Sequence, residues 1–273
     1  MGEPPDLGGF SDVDAATTPG EYAAYLDDVR GVGAVAEWKE RSFALLEPRP
    51  GAVLLDVGCG TGDDVATLAQ RVAPGGRAIG VDTSASMIAE ARRRAGSTGL
   101  PGVEFLHADA AVLGLADASV DGCRTERTLL HVPDPARVVA EMARVVRPGG
   151  RVVLTEPDWH TLVVDAGDPE VGHAVAAAAA GRFRNGVVGR TLRRLLLDAG
   201  LVEVEVAART LLATDAGRAE GLFALSAAAR DAARDGRVHR DGAERWLDDV
   251  RRAGERGRLL VGMASFMAAG RRP

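Results

Sequence analysis

The stretch Val53-Leu54-Leu55-Asp56-Val57-Gly58-Cys59-Gly60-Thr61-Gly62 decides the fold. A run of Val and Leu makes a strand buried on both faces, which an α/β protein places inside a parallel sheet. The alternating glycines that follow let the backbone approach a ligand where any side chain would collide. An acid, Asp56, stands just before the turn. A strand that runs into such a turn reads as a binding site for a small molecule.

Working outward, position 63 separates two readings of the turn. A dinucleotide site wants Gly or Ala there for close helix packing, whereas this chain has Asp63. An acid at that place also repels a pyrophosphate at a helix N-terminus, where anions are otherwise favoured. The turn therefore suits a ligand without a pyrophosphate. The segment resembles the first motif of the class I S-adenosylmethionine (SAM)-dependent methyltransferases. Taken alone, the glycines also leave open a nucleotide enzyme or a purely structural turn.

The next segments fall where that fold needs them. Arg77 to Asp82 is a second short strand ending in a carboxylate. An acceptor-only carboxylate is matched to the two hydroxyls of a ribose, and Asp82 is the choice for that role. Ser84 is placed to cap a helix running through Arg94, with Met87 and Ile88 facing inward. Met87 either pads the adenine or is plain core. Val103 to Ala110 is a third strand. In the resembled family the acid at the position of Asp109 takes the adenine amino group; as an alternative, Asp109 caps a following helix.

Ser119 to Thr125 is the fourth strand, and Asp134 and Pro135 open a helix that runs to Val146. Pro-Gly-Gly-Arg punctuation at 74–77 and again at 148–151 closes a helix and opens a strand each time. The stretch Thr125 to Gly150, with a His-containing loop before Pro133-Asp134-Pro135, resembles the ubiquinone/menaquinone-type branch of the methyltransferases. The resemblance covers about residues 50 to 156 in four ordered motifs. It implies SAM as cofactor, S-adenosylhomocysteine (SAH) as product, and a cofactor set of Asp56, Gly58, Gly60, Thr61, Gly62, Asp82, Thr83, Met87, Asp109, Ala110 and Thr125.

The expected fold is α/β: a Rossmann-like seven-stranded sheet with helices on both faces. Its order is 3-2-1-4-5-7-6 with strand 7 antiparallel, as the resembled family has it. The sixth strand is the alternating stretch Leu201 to Leu212 and the seventh Leu259 to Met267. One domain spans 1–273, with a helical lid over 11–47, a cofactor-binding core over 50–156, and helical insertions over 157–189 and 214–256 that cover the substrate or make a dimer contact. The first ten residues, rich in Pro and Gly, read as flexible. In the lid, Tyr22, Tyr25 and Trp38 line the pocket or simply pack between helices.

Length and composition agree. A chain of 273 residues with 46% hydrophobic content can bury one large core. The net charge of −6, with no basic stripe, argues against a nucleic-acid groove. No apolar run approaches membrane-spanning length, and no signal-peptide pattern opens the chain. Cys59 and Cys123 read as buried thiols of a cytoplasmic protein.

A sulfonium methyl is electrophilic already, so positioning does most of the work and a base helps only some acceptors. His131, just after the fourth strand, is the first candidate base or else orients its loop by hydrogen bonding; His160, after the fifth, is the second. Glu126, Arg127 and Trp159 join the substrate pocket; Arg124 and Arg127 flank its loop and either orient an anionic or carbonyl-bearing acceptor or, as such arginines more often do, pair with a nearby acid such as Glu126. Glu126 and Asp158 end neighbouring strands, but no metal is assigned. The acceptor expected from the apolar lid and insertions is a small, largely apolar metabolite, polyketide- or quinone-like. The alternatives are a cyclase of natural-product biosynthesis that keeps SAM without transferring its methyl group, and a SAM-sensing binding protein.

Overall fold

The computed structural model describes residues 4–273. Strands β1 (Val53–Val57), β2 (Arg77–Asp82), β3 (Val103–His107), β4 (Val120–Glu126) and β5 (Val146–Pro157) form the parallel part of one sheet. It continues through β8 (Val261–Arg271), antiparallel to β5, onto β7 (Val202–Ala213). The order β3-β2-β1-β4-β5-β8-β7 is the expected one. An eighth strand, β6 (Val163–Val164), adds two residues of pairing to the start of β8.

The centre of the sheet lies where the Val/Leu run demanded. Leu54, Leu55 and Val57 have no exposed surface. Burying each contributes roughly 1.5–3 kcal/mol. Helices α3 (Asp63–Val72), α4 (Ala85–Thr98) and α5 (Pro135–Val145) connect the strands. Ser84 caps α4 by accepting from the Met87 N–H, and Asp134 caps α5 by accepting from the Arg137 N–H.

Several expectations change at the edges. Met1 to Glu3 lie outside the described residues, but residues 4–10 are not loose. Leu7–Ala15 is a 3-10 segment with Leu7 and Val13 buried. Gly8 and Gly9 serve close approach rather than mobility, since a Cβ on Gly9 would overlap the Tyr22 hydroxyl. Pro148 to Gly150 does not start β5; it lies inside that strand, where the pairing with β4 shifts register. Asp109 caps no helix, because its side chain accepts from the Ala111 N–H in a tight turn. The helical insertion over 214–256 opens on two helices, α8 (Ala216–Phe223) and α9 (Leu225–Arg234), broken where Ala224 takes φ 49°.

The leading helices α1 (Pro19–Arg30), which borders the cavity through Tyr25 and Leu26, and α2 (Gly33–Leu45), which packs on the sheet beside β5, are tied to α3 and α4 by ion pairs. Arg30 meets Asp63, Lys39 meets Asp64, Glu40 meets Arg71 and Asp27 meets Arg94. The alanine run belongs to α6 (Pro169–Gly181), which packs on α9 and α10 (Arg240–Glu255) through small buried residues such as Ala176, Ala228 and Ala232. No described helix is long and apolar enough to cross a membrane.

Candidate active site

A cavity of about 350 Å³ opens at the C-terminal edge of the sheet, between the glycine turn and the lid. Gly58, Gly60, Asp82, Thr83, Met87, Asp109 and Ala110 line its floor. Four of the five N–H groups of this turn, all but that of Thr61, are already spent: Gly58 and Cys59 donate to the Val81 carbonyl, Gly60 to Asp82 and Gly62 to the Cys59 carbonyl. A pyrophosphate needs such donors free, so the turn offers bare backbone to a ligand of another kind.

Asp82 is the floor's acceptor. One oxygen takes the Gly60 N–H at 2.9 Å and the other takes the Ser84 N–H at 2.9 Å. Each oxygen keeps further acceptor capacity, which a ribose diol can use. Burial pushes its carboxyl above the ordinary range, against the pull of those two donors. Asp109 accepts the Ala111 N–H on one oxygen and makes no other side-chain hydrogen bond among the described residues.

Other expected cofactor residues act from behind the wall. Thr125 is fully buried and donates to the Val57 carbonyl, which joins β4 to β1. Gly62 exists for packing, since a Cβ there would press into Phe105 and Ala91. Asp56 and Thr61 border a small recess beneath the turn rather than the main cavity. Asp56 there belongs to a buried ionic cluster, of which local sequence signalled only the pairing of an arginine with Glu126. The Arg124 guanidinium reaches Asp56 at 3.1 Å, Asp64 at 2.8 Å and Glu126 at 2.5 Å, while Lys39 from the lid bridges Asp64 at 2.5 Å and Glu126 at 3.0 Å. Phe43 stacks on the same guanidinium. Burial raises the Asp56 carboxyl to about 7; Asp64 and Glu126 stay low because Lys39 and Arg124 outweigh the same burial.

The opposite wall is aromatic. Phe10, Tyr25, His131, Trp159 and Phe183 line it, with Arg127 beside Tyr25 and Arg184 in the same lining. Tyr22 stands one layer back, edge-on to Phe10 at 4.7 Å. Trp38 is not in the pocket; it packs between Arg41 and Arg209 under the lid. His160 is exposed and lies along an outer groove. The insertion over 157–189 supplies Trp159, Phe183 and Arg184 to the cavity, whereas the one over 214–256 supplies none and buttresses α6. Phe10, Phe183 and Arg184 had no pattern around them that marked a site.

The His131 side chain is held by ring contacts, tilted against Phe10 and edge-on to Phe183. Its ring lies 5.8 Å from Phe10 and 5.6 Å from Phe183, and no side-chain hydrogen bond fixes it among the described residues. Burial, with the nearby Arg127 charge, lowers its pKa to about 4, so it is neutral at pH 7. Behind it Glu156 accepts the Thr128 and Leu129 N–H groups at 2.8 and 2.6 Å, which sets the loop that carries Arg127. Glu126 and Asp158 do not share a site: the first serves Lys39 and Arg124, the second pairs with Arg190.

Residues 55–154 match the family described as methyltransferase domain. With this sheet order, this turn and the acids at the end of β2 and just after β3, residues 55–154 form a methyltransferase domain of the class I SAM-dependent kind. Within that class its core is of the ubiquinone/menaquinone type: it is 36% identical over 126 residues to the demethylmenaquinone methyltransferase of Bacillus cytotoxicus, which covers 46% of this chain and 53% of that protein. A 37.1 kDa uncharacterised protein in transposon TN4556 of Streptomyces fradiae is 42% identical over 231 residues, 84% of this chain and 66% of its own length. The chain thus spans between about half and two thirds of these relatives. Among solved structures, the [4+2]-cyclase SpnF shares the fold, with TM-score 0.53 and 22% identity over 86% of this chain and 80% of that one.

Proposed function

We propose that this protein transfers the methyl group of SAM to a small, largely apolar metabolite, polyketide- or quinone-like, held against the aromatic wall. The observation that carries the reading is one cavity that joins the acceptor-only floor of Asp82 and Asp109 to a ring-lined wall. Asp82 would hold the ribose, Asp109 the adenine amino group, and the Gly58–Gly60 backbone the rest of the cofactor. When bound, SAM supplies a methyl carbon that is already electrophilic.

The chain's own residues then do three things. The lid helices and the 3-10 segment exclude water from the cavity. The aromatic wall orients the acceptor, and such positioning can supply roughly 7–11 kcal/mol of a bimolecular barrier. Neutral His131 accepts a hydrogen bond at its free ring nitrogen, and its low basicity suits an acidic hydroxyl better than an alkyl alcohol.

Incubation with methyl-labelled SAM and candidate metabolites tests the reading. Label must appear in a small product. An unlabelled isomer of the substrate, formed with the cofactor intact, would instead establish the ring-closing alternative.

A further inference from the structure

We propose that the acceptor is a planar aromatic compound bearing one acidic group, with its ring on the aromatic wall and its negative charge shared by Arg127 and Arg184. This deepens the methyl-transfer reading and rests on it. The wall is a continuous ladder: Tyr25 to Phe10 at 5.9 Å, Phe10 to His131 at 5.8 Å, His131 to Phe183 at 5.6 Å, and Phe183 stacked on Trp159 at 4.8 Å. In a chain that is only 4% aromatic, this concentration of rings in one cavity selects a flat partner.

The polar complement of that wall is one-sided. Arg124 meets three carboxylates, and Arg182 and Arg190, on either side of Arg184 in the chain, are ion-paired as well. Arg127 and Arg184, which line the cavity, form no ion pair among the described residues. Of the carboxylates lining the cavity, Asp82 and Asp109 lie on its floor, and Glu126, near enough to Arg127 to feel its charge, is bridged by Lys39 and Arg124.

Arg127 is also presented at a cost. It holds φ 54°, a left-handed conformation that a non-glycine residue keeps only when its surroundings enforce it. Here the Arg127 N–H donates to the Thr155 carbonyl and Glu156 grips the next two amides. Arg127 hydrogen-bonds the Tyr25 hydroxyl, but neither it nor Arg184 has a carboxylate partner among the described residues, and two such guanidinium forks call for a carboxylate or an ionised phenol.

The test is calorimetry on SAH-loaded protein with 2-naphthoate and its neutral isostere 2-naphthamide. Charge-assisted hydrogen bonds predict that the acid binds about tenfold or more tightly than the amide. R127Q and R184Q should each remove most of that preference while R127K keeps part of it, and the SAH affinity, which also reports folding, should stay constant throughout. Equal binding of acid and amide, or no binding of either by SAH-loaded protein, overturns the proposal. So does an R127Q variant that weakens SAH as much as it weakens the acid, since Arg127 would then serve the cofactor. Failure of the wild type to bind SAH at all overturns the methyl-transfer reading itself, a distinguishable result.

Discussion

The Asp82 carboxylate accepts the Gly60 N–H at 2.9 Å, so the acid that ends β2 and the turn that follows β1 are one unit. The acid shapes the backbone cradle as well as facing the cavity. Replacing Asp82 with Asn exchanges an acceptor pair for an amide and removes the charge from both roles. Hydrogen bonds to a charged group are worth roughly 1.5–3 kcal/mol, so D82N should weaken SAH binding about ten- to a hundredfold. Calorimetry with SAH measures this, and an unchanged affinity would remove Asp82 from the cofactor site.

Gly58 and Gly51 both hold left-handed backbone, at φ 74° and 82°, yet only Gly58 is crowded. A Cβ at Gly51 meets nothing within 4 Å, whereas at Gly58 it overlaps the Thr128 hydroxyl and lies 2.7 Å from its methyl carbon. G51A should therefore cost only the backbone strain, about 1 kcal/mol. G58A should cost clearly more in denaturant unfolding and should also lower SAH affinity. Equal costs would mean that the Thr128 side chain moves freely out of the way.

Arg124 neutralises the recess beneath the turn. Changing it to Met leaves Asp56, Asp64 and Glu126 with Lys39 alone. Breaking a buried ionic cluster by removing one partner typically costs about 3–5 kcal/mol. R124M should lose that much in urea unfolding, and K39M, at the lid side of the same cluster, should also loosen the lid and raise its hydrogen exchange.

The core of this architecture was legible because its signals are local. Val53 to Gly62, Asp82 and the Asp134–Pro135 helix start each declare a strand, an edge acid or a cap within a few residues. The aromatic wall was half legible, through Tyr25, His131 and Trp159. Its other half was hidden: Gly8 and Gly9 look like loose chain, whereas they allow Arg182 and Tyr22 to pass close by. The ionic cluster joins residues 25, 60 and 87 positions apart, a distance over which no periodicity speaks. For Trp38 the packing reading is the one that holds, but its partner Arg209 arrives from β7, equally far along the chain.

His131 gives the molecule an acid-side liability. Its folded pKa of about 4 lies below the unfolded value of 6.5, so its contribution to stability is complete above pH 6.5 and is lost as pH falls toward 4. Within that window the loss is at most about 1.4 kcal/mol per pH unit. H131F, which keeps a ring between Phe10 and Phe183, should flatten this part of the melting-temperature profile. A profile unchanged below pH 6.5 would mean that the imidazole is not held neutral.

Glu156 acts in the opposite direction. Burial raises its pKa to about 8, against the two amide donors on one oxygen, and the other oxygen is buried without a partner. A carboxyl raised above its unfolded value of 4.5 contributes fully below pH 4.5 and loses that contribution as pH climbs to about 8. E156Q keeps an acceptor for the Thr128 and Leu129 amides and cannot ionise. Its melting temperature relative to wild type should therefore rise steadily from pH 5 to pH 8, by a few degrees in all, and level off above that. SAH affinity should follow the same curve only weakly, because Glu156 reaches the site through the Arg127 loop. A constant difference between the two proteins across that range would show that Glu156 is already ionised in the folded state.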